Sequence, residues 1–341
     1  MPDSSSSLKL AIVGCGAISR FHLDGIRDSG AAIDIAAAVD ADPGRAEQLA
    51  AETGATAFAS LEEALDRGDF DSVDLLLPHD LHETAAVQCL EAGKHVLLEK
   101  PMAPTLEACE RILAAAEKAG TVFMVAENAQ YWPEIVKARE LIREGVIGEV
   151  ITARAGFICE FDDYWFKGKR PWRNDKARTG GGIAIDGGSH WIRPLRMWLG
   201  EISEVVAALG YPLEQMEGES LVRALLRFES GLIAGFDAIM IDAAMAPDPW
   251  WRITGSAGEI TIDGGFEGGI RVYDAAHRDG IQVMEPEGYA KSFGPELADF
   301  AGAVLEGRQL QAGPREALGE LRTVLAIYRS AASGAWEKVF E

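Results

Sequence analysis

The sequence has few cysteines, few basic residues and no long apolar run, and each shortage argues against a class of protein. Its four cysteines form no Cys-x-x-Cys pair and no Cys/His cluster. We therefore predict reduced thiols in a cytosolic protein, with no disulfide framework and no metal site. No apolar stretch approaches the ~18 residues that a membrane-spanning helix needs. The opening residues, MPDSSSSLKL, lack the apolar segment of a signal peptide, which predicts a disordered tail over residues 1–7.

The shortage of basic residues limits the partners that the chain can bind. Its 341 residues include 32 Lys and Arg against 54 Asp and Glu, a formal net charge of −22. Such a field repels nucleic acid and anionic membrane surfaces, so we predict neither as a partner. The hydrophobic share of 48% is ordinary for a globular protein, and the length suggests two domains. We expect a soluble, cytoplasmic protein that acts on a small molecule.

The chain from Leu8 to about Val125 alternates apolar runs with helical patterns. The runs are LKLAIV, IDIAAAV, ATAFA, VDLLLP, HVLLEK and VFMVAE. The helical patterns lie at about 19–29, 45–50, 61–65, 82–92 and 106–119. Apolar strands without polar alternation, each followed by a helix, are typical of a parallel sheet that is covered on both faces. We predict a doubly wound α/β domain of the Rossmann type over residues 1–126.

Beyond Gly148 the pattern changes to strands separated by glycine turns. The strand-like segments are EVITARAGFI, EVVAALG, LVRALLRFE, GLIAGFDAIM, WRITGS, GEITID and IRVYD. Helical patterns interrupt them at 183–199 and after Gly294. We predict an α+β domain over 127–341, with a large, mostly antiparallel sheet and a C-terminal helix able to pack back on the first domain. One face of this sheet looks apolar enough to pair with another subunit, which predicts a homodimer or homotetramer.

The stretch VGCGAIS follows the first predicted strand and opens the first helix. Gly14 permits a tight turn, and Gly16 lets the backbone approach a pyrophosphate at the positive end of the helix. Ser19 stands where a third glycine is typical and is still small. The predicted cofactor contacts in this turn are Gly14, Gly16, Ala17 and Ile18. Cys15 could be a nucleophile, but no His or Asn lies near it in sequence, so we interpret it as a small loop residue.

Asp40 ends the second predicted strand, IDIAAAVD. An acid at this distance from a glycine turn bonds the ribose hydroxyls of a dinucleotide, and its charge repels the 2′-phosphate of NADP. The alternative is that Asp40 only caps the next helix. Because strand, turn, helix and acid come in order, we predict that the chain binds NAD, with NADP less favoured.

Two further strands end on polar groups. The segment DLLLPHDLHE contains the end of the fourth predicted strand, and LLEKP ends the fifth. Ligands of an open parallel sheet bind beyond the carboxyl ends of its strands, so these groups should line one crevice. The predicted cofactor contacts there are Pro78, His82, Glu99 and Lys100, whereas His79 is interpreted as a loop residue. Pro101 keeps Lys100 out of the α region and so aims its side chain.

Asp186 and His190 lie in the segment TGGGIAIDGGSHWIRPL. They are four residues apart on an apparent helix and would share one of its faces, with Arg193 nearby. Gly187 and Gly188 are poor helix formers, each less favourable than alanine by about 1 kcal/mol. We therefore expect a close neighbour that excludes side chains at these two positions.

Together these motifs resemble the glucose–fructose oxidoreductase/inositol dehydrogenase (Gfo/Idh/MocA) family of NAD(P)-dependent oxidoreductases. The resemblance spans nearly the whole chain and rests on GCGAIS, Pro78 with His82, Glu99-Lys100-Pro101, Trp172-Arg173 and the spacing around Asp186 and His190. The family often shows Thr-Pro-Asn where this chain has Leu77-Pro78-His79. The resemblance implies a dehydrogenase or reductase that acts on CH–OH groups, with Lys100, Asp186 and His190 as the catalytic set.

The oxidation of a secondary alcohol makes demands that these three side chains can meet. A hydride must leave for the nicotinamide, and the hydroxyl proton must be taken up, for which His190 is the natural general base. Asp186 would orient it or hold a neighbouring substrate hydroxyl, and Lys100 would stabilise negative charge on the reacting oxygen. Each residue alone also has an ordinary structural explanation, such as a strand-end lysine paired with Glu99.

The segment FDDYWFKGKRPWRNDKAR suggests the kind of substrate. Basic residues dominate positions 167–178, and aromatic residues lie among and just before them. Aromatic faces suit sugar rings, and the charges suit a carboxylate or phosphate. A solvated loop or a subunit contact is an equal alternative for this segment. The predicted substrate contacts are Tyr131, Trp165, Trp172, Arg173, Asp186 and His190.

Three functions are compatible with these motifs. The leading prediction is an NAD-dependent oxidoreductase of a cyclic polyol, sugar or sugar derivative. An NAD-dependent enzyme that cleaves glycosides through transient oxidation is a second possibility, and a non-catalytic sensor of NAD or sugar is a third. The complete Lys/Asp/His set argues against a sensor, which has no need of acid/base groups.

Overall fold

The computed structural model describes residues 7–161, 171–243, 249–264 and 268–340. The chain divides into two compact units, the first comprising Met1–Glu127 and Phe293–Leu318, the second Asn128–Ser292 and Gly319–Glu341. The predicted boundary lies one residue earlier, at 126/127. The segment Phe293–Leu318 lies in the first unit, although all residues beyond 126 were assigned to the second domain. Of the predicted N-terminal tail, residues 1–6 lie outside the described residues.

The first unit contains a parallel sheet. Its strands are β1 (Leu8–Val13), β2 (Ile33–Val39), β3 (Thr56–Phe58), β4 (Ser72–Leu75), β5 (His95–Glu99) and β6 (Phe123–Ala126), in the order β3-β2-β1-β4-β5-β6. The helices between them are α1 (Ile18–Ser29), α2 (Pro43–Thr53), α3 (Leu61–Arg67), α4 (His82–Glu91) and α5 (Leu106–Ala119). All strand pairs are parallel. The predicted doubly wound sheet is confirmed, and helix α5 has the predicted ends.

Short polar side chains cap the starts of α2, α3 and α5 in this unit. Asp42 accepts a hydrogen bond from the N–H of Gly44 at the start of α2, and Thr105 accepts one from Ala108 at the start of α5. Such caps satisfy N–H groups that have no partner within the helix. Helix α5 ends at Gly120, whose φ of 67° is the left-handed conformation that favours glycine. Local sequence therefore determines where these helices begin and end.

The second unit is built on a larger sheet. Its strands are β7 (Val150–Glu160), β8 (Ile202–Gly210), β9 (Leu221–Phe228), β10 (Ile233–Ile241), β11 (Trp251–Gly255), β12 (Gly258–Ile262), β13 (Ile270–Asp274), β14 (Ile281–Met284) and β15 (Glu337–Lys338). They lie in the order β14-β13-β12-β11-β7-β10-β9-β8-β15. Strands β7 and β10 are parallel and the other pairs are antiparallel. The predicted mostly antiparallel sheet is confirmed, but β14 and β15 were not predicted.

The remaining helices follow the first unit's β6 in the chain. They are α6 (Pro133–Arg143), α7 (Lys176–Thr179), α8 (Ile183–Asp186), α9 (Ser189–Leu199), α10 (Phe293–Glu306) and α11 (Ala317–Ser333). Helix α10 belongs to the first unit and most of α11 to the second. Within the described ranges, none of the helices is both long and apolar enough to span a bilayer.

The prediction of one continuous helix over 183–199 is wrong, because Gly187 and Gly188 separate α8 from α9. A Cβ atom added at Gly188 would lie 2.2 Å from the carbonyl oxygen of Ala184. One added at Gly187 would lie 3.1 Å from Cζ of Phe157. The expected close neighbours are therefore present, and they explain why two glycines stand between the two helices.

Helix α10 packs against α1 within the first unit. A Cβ atom at Gly25 would lie 2.6 Å from Cβ of Phe293, so only glycine allows this close approach of the two helices. The rings of Phe21 and Phe293 are 5.4 Å apart. This contact joins distant parts of the sequence, and no local pattern predicted which residues would meet.

Aromatic side chains form the part of the second unit's core that lies next to α9. The rings of Trp191 and Trp251 are stacked, with centroids 5.7 Å apart and an angle of 12° between planes. Trp132 meets Trp251 edge-on at 5.6 Å. Trp251 has no exposed surface. Such rings bury large apolar areas, so this cluster gives α9 a rigid base.

Candidate active site

The turn between β1 and α1 has the shape that a dinucleotide phosphate requires. Gly14 has a φ of 98°, and a Cβ there would lie 2.3 Å from the carbonyl oxygen of Leu76. At Gly16, by contrast, no atom of the described residues other than its chain neighbours lies within 4 Å of an added Cβ, so a ligand can approach the backbone. Helix α1 begins at Ile18 with no side-chain cap on its first turn, as anion binding requires. Ser19, in the third glycine's place, donates its hydroxyl to the carbonyl of Gly16 at 2.7 Å.

Asp40 follows β2 and supports the same turn. Its Oδ2 accepts a hydrogen bond from the N–H of Cys15 at 2.8 Å, and its Oδ1 accepts one from Asp42 at 2.8 Å. Each oxygen has a second lone pair that a ribose hydroxyl can use. Burial, together with the Asp40 charge, raises the pKa of the Cys15 thiol to about 12. The thiol is therefore protonated at neutral pH, as expected of a loop residue and not of a nucleophile.

Lys100 directly follows β5, and side chains hold the main chain on either side of it. The N–H of Lys100 donates to Oε2 of Glu99 at 2.9 Å. The carbonyl oxygen of Pro101 lies 2.8 Å from Nδ1 of His82, and that of Leu77 lies 2.8 Å from Nε2 of the same ring. Burial lowers the pKa of His82 to about 4, so the ring is neutral and donates one N–H at a time. His82, a predicted cofactor contact, is fully buried with both nitrogens facing main-chain carbonyls.

Behind Glu99 lies a buried histidine that sequence reasoning missed. Nδ1 of His22 lies 2.8 Å from Oδ2 of Asp74, and its Nε2 lies 3.2 Å from Oε1 of Glu99. Burial alone would lower the pKa of His22, but the two carboxylates outweigh it and raise that pKa well above its usual value. Each ring nitrogen of His22 thus faces a carboxylate oxygen, an arrangement that favours the protonated ring. The available signal was a histidine on the apolar face of α1 and an aspartate inside the apolar run VDLLLP.

Glu296 adds a further acid to this interior. It lies on α10 and has no exposed surface. Neither of its carboxyl oxygens has a hydrogen-bond partner in the part of the chain that the structure describes. Burial raises the pKa of Glu296 well above its usual range, and the charges of Glu99 and Glu127 add to the shift. These surroundings therefore favour the protonated form of this carboxyl group over its charged form.

Asp186 and His190 lie on either side of the α8–α9 junction. Nε of Arg173 donates to Oδ2 of Asp186 at 3.0 Å, and the same guanidinium lies 4.4 Å from the centre of the Trp172 ring. His190 is 8% exposed, and its ring meets that of Tyr289 edge-on at 5.9 Å. Arg173, predicted as a substrate contact, therefore has a partner in the proposed acid/base pair.

Glu219 fixes the start of the short helix that carries Asp186. Its carboxylate accepts hydrogen bonds from the N–H groups of Gly182 and Ala184, each at 3.0 Å, and from the Tyr328 hydroxyl at 2.9 Å. A Cβ at Gly182 would lie 2.0 Å from the carbonyl oxygen of Glu219, so the approach depends on glycine. Burial raises the pKa of Glu219, and the three donors oppose the shift. The sequence signal here was the GGG run, whose partner, just before β9, could not be predicted.

The other predicted residues have less distinctive surroundings. Tyr131 is buried in the second unit. Arg193 is also buried and donates to Gln130 at 2.8 Å and to Glu320 at 3.4 Å. Trp165 and the basic positions 167, 169 and 170 lie outside the described residues. Within the described ranges, no three His, Cys, Asp or Glu side chains are grouped so as to hold a metal ion.

The predicted residues thus fall into two groups, one in each unit. The first unit holds Gly14, Gly16, Ala17, Ile18, Asp40, Pro78, His82, Glu99 and Lys100. The second holds Tyr131, Trp172, Arg173, Asp186 and His190. Lys100 thus lies in the first unit, and Asp186 and His190 lie in the second.

Two family models match the chain, and together they span most of it. Residues 8–127 match the oxidoreductase family with an NAD-binding Rossmann fold, and residues 135–261 match the GFO/IDH/MocA C-terminal domain. The chain belongs to the Gfo/Idh/MocA family. This membership confirms the resemblance found in the sequence. It makes the chain an NAD(P)-dependent oxidoreductase that acts on CH–OH groups.

Named relatives of this Gfo/Idh/MocA chain include sugar dehydrogenases. The 1-carboxy-3-chloro-3,4-dihydroxycyclohexa-1,5-diene dehydrogenase of Comamonas testosteroni is 33% identical over 206 residues, which cover 59% of this chain and 50% of that relative. D-apiose dehydrogenase of Paraburkholderia graminis is 28% identical over 96% of this chain and 88% of its own. The structure of a levoglucosan dehydrogenase with NADH and levoglucosan superposes with a TM-score of 0.88, at 24% identity over 98% of this chain and 100% of its own. This last likeness shows the shared fold.

Proposed function

We propose that the chain transfers hydride between NAD(H) and a secondary alcohol or ketone of a cyclic polyol, sugar or sugar derivative. The observation that carries the proposal is a strand-end lysine, Lys100, in a chain of this family that also has the Asp186 and His190 pair. These groups supply what reversible alcohol oxidation requires. The near full-length match to a D-apiose dehydrogenase supports a sugar-like substrate.

Each residue has a distinct role in the proposed reaction. NAD⁺ supplies the hydride acceptor when it is bound at the glycine turn and Asp40. His190 takes the hydroxyl proton as general base and returns it in the reverse direction. Lys100 donates a hydrogen bond to the reacting oxygen and stabilises its negative charge. Asp186, paired with Arg173, orients His190 or holds a neighbouring substrate hydroxyl.

A substrate screen tests the proposal. Inositols, aldoses, sugar acids and sugar phosphates are offered with NAD⁺, and the corresponding ketones with NADH. We expect turnover with one of these classes, and a loss of about 10²-fold or more in kcat for Lys100→Met and His190→Asn. NADH binding, followed by fluorescence, should persist in both variants.

Three other outcomes would contradict the proposal. The first is no change in NADH with any polyol, sugar or sugar ketone. The second is cleavage of glycosides without net NADH formation, which would indicate the glycoside-cleaving alternative. The third is full biological activity of Lys100→Ala, which would indicate a sensor.

We also propose that NAD is preferred over NADP. Asp40 would repel a 2′-phosphate, and its oxygens are held in place by two N–H groups. We expect kcat/KM to favour NAD⁺ by about ten-fold or more, and Asp40→Ser to reduce the difference. Comparable values for the two cofactors in the parent chain would contradict the role of Asp40.

We propose finally a cytoplasmic homodimer or homotetramer that associates through the open face of the nine-stranded sheet. Leu225 and Ile233 are 48% and 40% exposed there. Arg154 and Arg223 lie on this face with Asp237, 3.1 and 3.7 Å from its carboxylate, so a second copy finds both apolar surface and charges of both signs. We expect Leu225→Glu to lower the mass measured by light scattering. A monomeric parent chain would contradict this proposal.

A further inference from the structure

We propose that His22 is a positioning residue for Lys100, acting through the carboxylate of Glu99. The inference rests on the proposed function in one respect, because it takes Lys100 to be a catalytic residue. The contacts that carry it lie wholly within the first unit.

A continuous series of contacts joins His22 to the backbone of Lys100. Asp74 Oδ2 lies 2.8 Å from Nδ1 of His22, and Nε2 of the same ring lies 3.2 Å from Oε1 of Glu99. The other oxygen of Glu99 accepts the N–H of Lys100 at 2.9 Å. One carboxylate therefore takes part in both bonds. Its orientation is set by His22 and in turn sets the peptide plane that leads into Lys100.

These bonds replace strand pairing where the sheet ends. The last pair of the β5–β6 ladder joins Glu99 and Ala126, so Lys100 lies just beyond it. Pro101 has no N–H to contribute. Side chains hold this segment instead, with Glu99 before Lys100 and His82 after it, 2.8 Å from the carbonyl oxygen of Pro101. A residue that must present its side chain at a defined place needs such support.

The series of contacts depends on a protonated ring. An imidazolium donates from both nitrogens, whereas a neutral imidazole donates from one only. The acids around the ring are Asp74 from β4, Glu99 from β5 and Glu296 from α10, and Glu127 after β6 adds its charge near Glu296. The ring of Phe293 covers His22 at 5.2 Å, and His22 has no exposed surface. Water therefore cannot take the place of either carboxylate.

The test compares His22→Gln with His95→Gln. His95 lies at the start of β5, at the opposite end of that strand from Glu99. Its Nδ1 accepts the N–H of Val122 at 3.0 Å. We expect His22→Gln to retain its fold by circular dichroism and its affinity for NADH within about three-fold. Its kcat should fall about 10- to 100-fold with little change in the KM of the substrate, because the loss is one of geometry at the reacting groups. His95→Gln should change neither constant.

A second measurement does not depend on activity. Trace labelling with acetic anhydride, read by mass spectrometry, gives the reactivity of the Lys100 amine relative to that of Lys94. We expect this ratio to change several-fold in His22→Gln and to stay constant in His95→Gln. If His22→Gln does not fold, Glu99→Gln is used, since its amide can still accept the Lys100 N–H but carries no charge for the imidazolium. We expect changes of the same sign and smaller size.

The outcomes separate this proposal from the proposed function. A folded variant whose kcat and labelling ratio both stay within two-fold of the parent would overturn the positioning role. Changes in kcat and in the labelling ratio that are as large in His95→Gln as in His22→Gln would also overturn the positioning role. If the parent chain turns over no polyol or sugar, the proposed function fails, and the labelling ratio alone decides whether His22 positions Lys100.

Discussion

The two units support their candidate functional residues by different physical means. In the first unit, buried polar groups hold the segment of Lys100, namely His22, Glu99 and His82. In the second, α9 carries both His190 and Trp191, and the Trp191 ring stacks on the buried ring of Trp251. Hydrogen bonds are directional, and a buried group left without its partner is destabilising. Ring packing depends instead on area and volume. Isosteric changes should therefore disturb the first unit more, and truncations the second.

The largest effect is expected from Trp251→Ala. The side chain has no exposed surface and touches the rings of Trp132, Trp191, Trp198 and Trp250. Truncation leaves a cavity and should lower the free energy of unfolding by about 3–5 kcal/mol. All eight tryptophans lie in the second unit, so their fluorescence during urea unfolding reports on that unit alone.

Trp336→Ala is the matched control for this truncation. Trp336 lies in the same unit but is 37% exposed, with the guanidinium of Arg227 4.3 Å from its ring. Its loss should lower the free energy of unfolding by about 1 kcal/mol or less. Similar losses of unfolding free energy in the two variants would mean that the buried tryptophan cluster stabilises the second unit no more than an exposed ring does.

An intermediate effect, dependent on pH, is expected from Glu296→Gln in the first unit. Because the pKa of Glu296 is raised, the folded chain keeps a proton that the unfolded chain releases above its ordinary pKa of 4.5. The free energy of unfolding of the parent therefore falls as pH rises above 4.5, by at most about 1.4 kcal/mol per pH unit for this group, until the folded pKa is passed. Glutamine has no proton to lose. The stability of the variant relative to the parent should thus rise with pH.

Urea unfolding followed by circular dichroism from pH 4 to 9 measures this difference. Tryptophan fluorescence, recorded in parallel, follows the unfolding of the second unit, so the contribution of that unit to the circular dichroism signal can be subtracted. Glu306→Gln is the control, since Glu306 is an exposed acid near the end of the same helix. A constant difference between Glu296→Gln and the parent over the whole range would show that the buried acid ionises in the folded chain much as it does in the unfolded one.

The contrast between local and distant contacts explains what the sequence could predict. Helix α5 was predicted with its observed ends, and the structure shows that Thr105 and Gly120 cap them locally. The glycine turn and Asp40 were placed because strand, turn and acid follow each other closely along the chain. The sequence predicted Lys100 at a strand end beside Glu99 and Asp186 in a helical segment, but it did not predict the more distant neighbours of either. His22, Glu296 and Glu219 come from other parts of the sequence, and only the fold brings them together.

The break between α8 and α9 shows the same limit in a single motif. Helical spacing from Ile183 to Leu199 predicted one helix with Asp186 and His190 on one face. The two glycines were recognised as unfavourable there, but the carbonyl of Ala184 and the ring of Phe157 that exclude side chains became evident only in three dimensions. Periodicity reports which face is apolar and does not report where a neighbour comes too close.

The smallest effect is expected from Tyr328→Phe, which tests the polar support that the second unit does contain. The Tyr328 hydroxyl donates to Glu219 at 2.9 Å and lies 3.3 Å from the nitrogen of Gly182. Because Glu219 keeps two N–H donors without it, the loss should be about 0.5–1.5 kcal/mol, measured by tryptophan fluorescence in urea. Tyr211→Phe, at a residue that is 58% exposed, should change nothing measurable. A loss as large as that of Trp251→Ala would mean that directional bonds dominate in both units, and the difference between them would disappear.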